Sequence, residues 1–114
     1  MKKIVIALLT VLFAGSSVNA QSATGSCTAI GCTSIVKNLI AFGSGTVEVF
    51  MDTDQSPLNC TANADGGLIL STTDAGVDRM YSTLLSAQLT GKQVFVRIID
   101  GSSPCHINYV RLVP

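Results

Sequence analysis

Residues 74–99 read D-A-G-V-D-R-M-Y-S-T-L-L-S-A-Q-L-T-G-K-Q-V-F-V-R-I-I, and the fold is decided there. Val77, Met80, Tyr81, Leu84, Leu85 and Gln88 recur at helical spacing, so the stretch opens as an amphipathic helix whose apolar stripe fails only in its last turn. Asp74 is the expected N-cap, its carboxylate accepting from free backbone N–H groups at the positive end of the helix dipole. Gly91 supplies a left-handed stop, and Lys92 lies near the negative end. Burying Val77, Met80, Leu84 and Leu85 is worth about 6–12 kcal/mol as an upper bound. Propensity alone would not hold so short a helix, rich in Ser and Thr. Residues 93–99 then alternate Val94, Val96 and Ile98 against Phe95, Arg97 and Ile99, apolar on nearly both faces, as suits an interior strand.

On the N-terminal side of that unit the chain begins with a different signal. Residues 1–20 carry Lys2 and Lys3, an apolar run over residues 4–14 and small residues ending in Val18-Asn19-Ala20, the pattern of a secretory signal peptide. The run falls short of the roughly 20 residues a spanning helix needs, and no cysteine follows it to accept a lipid anchor. Removal of these 20 of the 114 residues leaves 94, with five basic residues (Lys37, Arg79, Lys92, Arg97, Arg111) against seven acidic ones, a net charge of −2. Scattered basic residues on a mildly acidic chain argue against nucleic acid and against electrostatic docking to anionic membranes. One domain of this size buries roughly 60–65% of its unfolded surface, so covalent staples would help it.

Four cysteines in an exported chain supply them. Three pairings are possible. The favoured one joins Cys27 to Cys32, a local ring at the N-terminus, and Cys60 to Cys105, closing a loop of about 45 residues worth roughly 4 kcal/mol.

Residues 21–33 are read as an N-terminal leader with the local disulfide, and residues 34–114 as a single β-barrel-like domain. Within it, two apolar runs flank Gly43-Ser44-Gly45, a β-hairpin signature with Val47, Val49 and Met51 on one face. Residues 53–67 are rich in turn formers and form a long loop that Cys60 staples. Leu68-Ile69-Leu70-Ser71 is a short strand, Asp100 to Pro104 a turn, and residues 106–113 the last strand. The element order is β-β-β-α-β-β, mainly β with one helix.

With the helix between the third and fourth strands, that order resembles the five-stranded Greek-key barrel called the OB-fold. Among small exported bacterial OB-folds it is similar to the B subunits of AB5 toxins, which implies pentameric rings and binding to cell-surface glycans. Leu84-Leu85-Ser86-Ala87, Thr90-Gly91-Lys92-Gln93-Val94 and the pair Cys60 and Cys105 also resemble small exported disulfide-linked proteins of Gram-negative bacteria. That likeness implies a compact β protein and assigns no functional residue.

Candidate chemistry is sparse. His106 is the lone histidine, but its neighbour Cys105 points to the opposite face of a strand and, once oxidised, has no thiolate to offer. A zinc site is disfavoured by the isolation of Cys60 and Cys105. Asp52-Thr53-Asp54-Gln55-Ser56 mimics the start of a calcium loop, yet Pro57 stands where glycine is required and Asn63 where a bidentate glutamate is required. No G-x-S-x-G elbow, phosphate loop or glycosidase carboxylate pair is present, Glu48 being the lone glutamate. Neither catalytic residues nor a cofactor or metal are therefore expected. Ser82, Thr83, Ser86 and Thr90, with Arg79, form a hydroxyl-rich helix face that is a candidate interaction surface. Charged residues make up only 12% of the chain against 47% hydrophobic, which favours self-association into a homo-oligomer.

The reading that results is an exported, periplasmic or secreted, non-enzymatic binding module for glycan or protein. The rival is a small exported enzyme or enzyme inhibitor using residues 53–67 and His106. A third reading is a structural envelope protein.

Overall fold

The computed structural model describes residues 25–114, so the expected signal peptide over residues 1–20 lies outside the described residues. Seven strands and one helix follow in order: β1 (Ser26–Cys27), β2 (Gly31–Ser34), β3 (Val36–Ala41), β4 (Val47–Met51), β5 (Leu68–Leu70), α1 (Val77–Thr90), β6 (Val94–Ile98) and β7 (Ile107–Leu112). They form a four-stranded sheet in the order β1-β2-β6-β7 and a three-stranded sheet in the order β3-β4-β5, with antiparallel neighbours in both.

Three expectations change. The five-stranded closed barrel is instead two sheets. At one seam the chain passes from β2 to β3 through Ile35, whose carbonyl accepts from Asp52 N–H at 2.9 Å. At the other seam β5 meets the start of β7 through a single parallel bridge, Ile69 to His106. A strand of three residues is too short to carry a full ladder into the second sheet, so closure stops there.

The segment expected to be a leader also enters the fold. β2 lies between β1 and β6, its Cys32 opposite Val96, and Cys32 and Ser34 are fully buried. Gly, Ser and Thr gave this run no hydrophobic alternation to read. Its place comes from its neighbours, β6 above all.

Alternation supplies the core. Val47, Val49 and Met51 of β4, Leu68 and Leu70 of β5, and Val94, Val96 and Ile98 of β6 are all buried between the sheets. Ile107 joins them because β6 and β7 shift register between Arg97 and Ile98, leaving Asn108 as an extra residue. Such a bulge re-phases the strand, turning Ile107 inward while Tyr109 and Arg111 stay outward.

Against this core α1 packs Leu84 and Ala87, both fully buried, with Val77, Met80 and Tyr81 partly buried beside them. Leu89 is 78% exposed. Gly91 ends the helix at φ 64°, its N–H reaching the carbonyls of Ala87 and Gln88. The start differs from expectation: Gly76 is the N-cap and no side chain caps it. The carboxylate of Asp74 accepts from Ser71 N–H at 3.2 Å and meets His106 Nε2 at 2.7 Å. His106, the residue just before β7, outcompetes the helix terminus, and α1 begins three residues further on.

Two disulfides join Cys27 to Cys32 and Cys60 to Cys105. The first links directly opposed residues of β1 and β2. The second ties the loop of residues 53–67 to the residue that leads into β7.

Candidate functional site

Three places bring chemistry-bearing side chains together. The loop of residues 53–67 forms the first. It crosses the outward face of the three-stranded sheet, where Glu48 is only 2% exposed. Burying a carboxylate is costly unless it is hydrogen-bonded, and Asn63 Nδ2 donates to Glu48 Oε1 at 3.1 Å. Gly67 makes the fit possible, because a Cβ there would collide with the Glu48 side chain. Gly67→Ala is therefore expected to cost about 1–3 kcal/mol by overpacking, measured as a lower urea midpoint with an unchanged slope.

Gln55 holds the loop from within. Its Oε1 accepts from Met51 N–H at 2.8 Å and its Nε2 donates to Gly66 O at 2.8 Å. Asp54 is fixed by Ser56: the Ser56 backbone N–H, then the Ser56 hydroxyl, hold its carboxyl below the usual carboxylate range. The loop also walls a cavity of about 430 Å³, lined by Asp54, Gln55, Leu58, Cys60 and Ala62 of the loop with Leu68 and Cys105.

His106 and Asp74 form the second place, 2.7 Å apart and about one-quarter exposed each. Ser102 Oγ accepts from the His106 backbone N–H at 3.0 Å. Ser71 and Thr73 share a hydroxyl hydrogen bond nearby in the chain. The pair clamps the approach to α1 onto the start of β7.

The third place is the outward face of β6 and β7. Phe95 is opposite Arg111, and Arg97 is opposite Tyr109, so aromatic rings and guanidinium groups alternate in a checkerboard. Arg111 stacks 5.1 Å from the centre of the Phe95 ring, and the Phe95 and Tyr109 rings are 6.0 Å apart. Gly31 of β2 lies beneath the Phe95 ring, where a Cβ would meet Phe95 Cζ at 2.8 Å. Glycine in a strand here lets an aromatic ring lie close to the backbone.

The helix face was the surface singled out from sequence. Ser82, Ser86 and Thr90 are exposed and Thr83 is half-buried. Ser82 donates to Asp78 O, Thr83 to Arg79 O and Thr90 to Ser86 O, at 2.8, 2.9 and 2.8 Å. Three of the four hydroxyls thus direct their protons back into their own helix and present only acceptor lone pairs to a partner. The structure brings Cys60, Cys105 and residues 53–67 together at the cavity and keeps Ser82, Thr83, Ser86 and Thr90 on a separate helix face.

The β6–β7 checkerboard and the buried Glu48 were not anticipated. Parity would have pointed to the first: Phe95 and Arg97 share one face of a strand, as do Tyr109 and Arg111, and the two strands are consecutive in the chain. Nothing in the sequence signals that residues 53–67 fold over Glu48.

No helix of the described residues is long and apolar enough to cross a membrane. The chain matches no protein-family model, no curated protein and no solved structure.

Proposed function

We propose that this protein is an exported, non-enzymatic binding module for glycan or protein, built on an OB-like strand arrangement and able to self-associate. The observation that carries the reading is the cavity under residues 53–67. The loop above it is held by Gln55 at both ends of its amide, by Asn63 on Glu48 and by the Cys60–Cys105 disulfide. Ordering a loop costs conformational entropy, so a loop fixed in advance around a cavity lowers the cost of binding. The OB-like part rests on strand order: following β3-β4-β5 across the bridge to β7-β6-β2 returns to the segment that began the circuit. Similarity to AB5 toxin B subunits belongs to the same reading.

Filling the cavity tests it. The purified protein is screened on an array of oligosaccharides, and binding is repeated with Ala62→Phe, a substitution on the cavity wall. Binding that disappears in the variant supports the reading, and retained binding removes the cavity from it. Sedimentation addresses self-association, which a clean monomer at micromolar concentration would exclude.

A second reading has one specific observation in its favour. The 2.7 Å contact of His106 and Asp74 is the kind of orienting bond a general base requires, as in a small exported enzyme or inhibitor acting through His106 and residues 53–67. A hydrolytic activity abolished in His106→Ala would establish it. On the first reading the same variant only loses a half-buried hydrogen bond, at about 1 kcal/mol of stability.

A further inference from the structure

The checkerboard on β6 and β7 has three properties that a structural ring stack does not require. The first is unbalanced charge. Among the described residues the ion pair recorded is that of His106 with Asp74, and neither Arg97 nor Arg111 has a carboxylate partner. Asp100, just beyond β6, is engaged by Asn59 Nδ2 at 2.6 Å. Two arginines thus stand on one sheet face, Arg111 held by the Phe95 ring, on a chain whose acidic residues outnumber its basic ones after the first 20 residues.

The second property is flatness with exposed ring. Tyr109 is 41% exposed, and the Arg111 guanidinium carbon lies over the Phe95 ring, 5.1 Å from its centre. An exposed aromatic and a planar cation present faces on which the C–H side of a sugar ring can rest, while the forked N–H groups accept a carboxylate in bidentate fashion. The third is spacing. Arg97 and Arg111 are diagonal neighbours across an antiparallel pair, which sets their Cβ atoms about 7–8 Å apart or somewhat less. From Cβ atoms that close, two long arginine side chains on one sheet face can reach separate carboxylates of one polymer.

We infer that the outward face of β6 and β7 binds an acidic polysaccharide, with Arg97 and Arg111 on the carboxylates of neighbouring uronate rings and Tyr109 beneath a sugar ring. Two cations on a net acidic protein are too few to track a nucleic-acid backbone. The face shares no residue with the cavity wall, so it stands independently of the cavity reading.

The test is titration of the purified protein with polygalacturonate, followed by calorimetry or backbone amide shifts. Poly-L-glutamate and neutral dextran are run beside it. Polygalacturonate is expected to bind, shifting amides of residues 94–98 and 107–112, and dextran is not. Arg97→Gln with Arg111→Gln is expected to weaken binding by roughly tenfold per guanidinium removed. Tyr109→Ala is expected to weaken polygalacturonate binding severalfold and to leave poly-L-glutamate unchanged. Arg97→Gln alone, which removes no recorded ring contact, keeps the test decisive if the double variant loses its fold. No binding by the unsubstituted protein, unchanged binding by Arg97→Gln, or equal affinity for poly-L-glutamate would each overturn the proposal. Binding kept in Ala62→Phe and lost in Arg97→Gln separates this site from the cavity.

Discussion

Replacing Cys60 and Cys105 together by alanine is expected to lower stability by about 4 kcal/mol, the chain-entropy value for a loop of this length. For a domain of this size that corresponds to a fall in Tm of about 15–30 °C. The crosslink restricts the unfolded chain most where it spans most sequence. It joins residues 45 positions apart, against 5 for Cys27 and Cys32. It also connects the loop over Glu48 to the residue preceding the His106 clamp, so its loss releases two contacts that otherwise stabilise each other. The matching substitution of Cys27 and Cys32 is expected to cost about half as much. Calorimetric melting of the two double variants checks the ranking, and equal losses would show that loop length does not govern it.

Leu84→Ala is the second large effect, about 3–4 kcal/mol from lost transfer energy and the cavity left behind. Leu84 is fully buried where α1 meets the core. Five residues further along the same helix, Leu89 is 78% exposed, and Leu89→Ala is expected to stay within about 0.5 kcal/mol. The comparison isolates burial, since both positions are helical and both substitutions remove the same atoms. Urea denaturation followed by the helical signal at 222 nm measures it. A small loss for Leu84→Ala would mean that α1 docks through Met80 and Tyr81 instead.

Local patterns in the sequence carried a good part of the architecture. The 3.6-residue recurrence from Val77 to Leu84 specifies α1, Gly91 specifies its end, and alternation at Val47, Val49 and Met51 and at Val94, Val96 and Ile98 specifies which sides of β4 and β6 are buried. These features depend on residues close in the chain, so they can be read there. The start of α1 could not be read, because Asp74 has two possible partners and the winning one, His106, is 32 residues away.

The same division holds for the candidate sites. The turn-rich composition of residues 53–67 marks a long loop, and Cys60 marks it as anchored. That the loop encloses a cavity and covers Glu48 depends on Asn63, Gln55 and Gly67 meeting groups on β4 and at the loop's far end. Residues 97 and 111 look scattered along the chain and become neighbours only when β6 and β7 pair. The charge argument against a basic face therefore holds for the chain as a whole and fails on that one surface.

Within residues 74–99 the sequence by itself determined a helix with its apolar stripe, the glycine stop and the interior strand after it, since each is a periodicity or a conformational preference within one segment. Only the tertiary structure decided that the strands form two sheets, that Gly31–Ser34 is an interior strand, and that Phe95 and Arg97 from the same stretch stand beside Tyr109 and Arg111. Those outcomes are set by strand pairing and register, which are free energies of contact between distant segments; parity within each strand tells which residues share a face and not which strands meet. Read alone, the strand that follows α1 is a core element. Paired with β7, its outward side is the most chemically distinctive surface of the described protein.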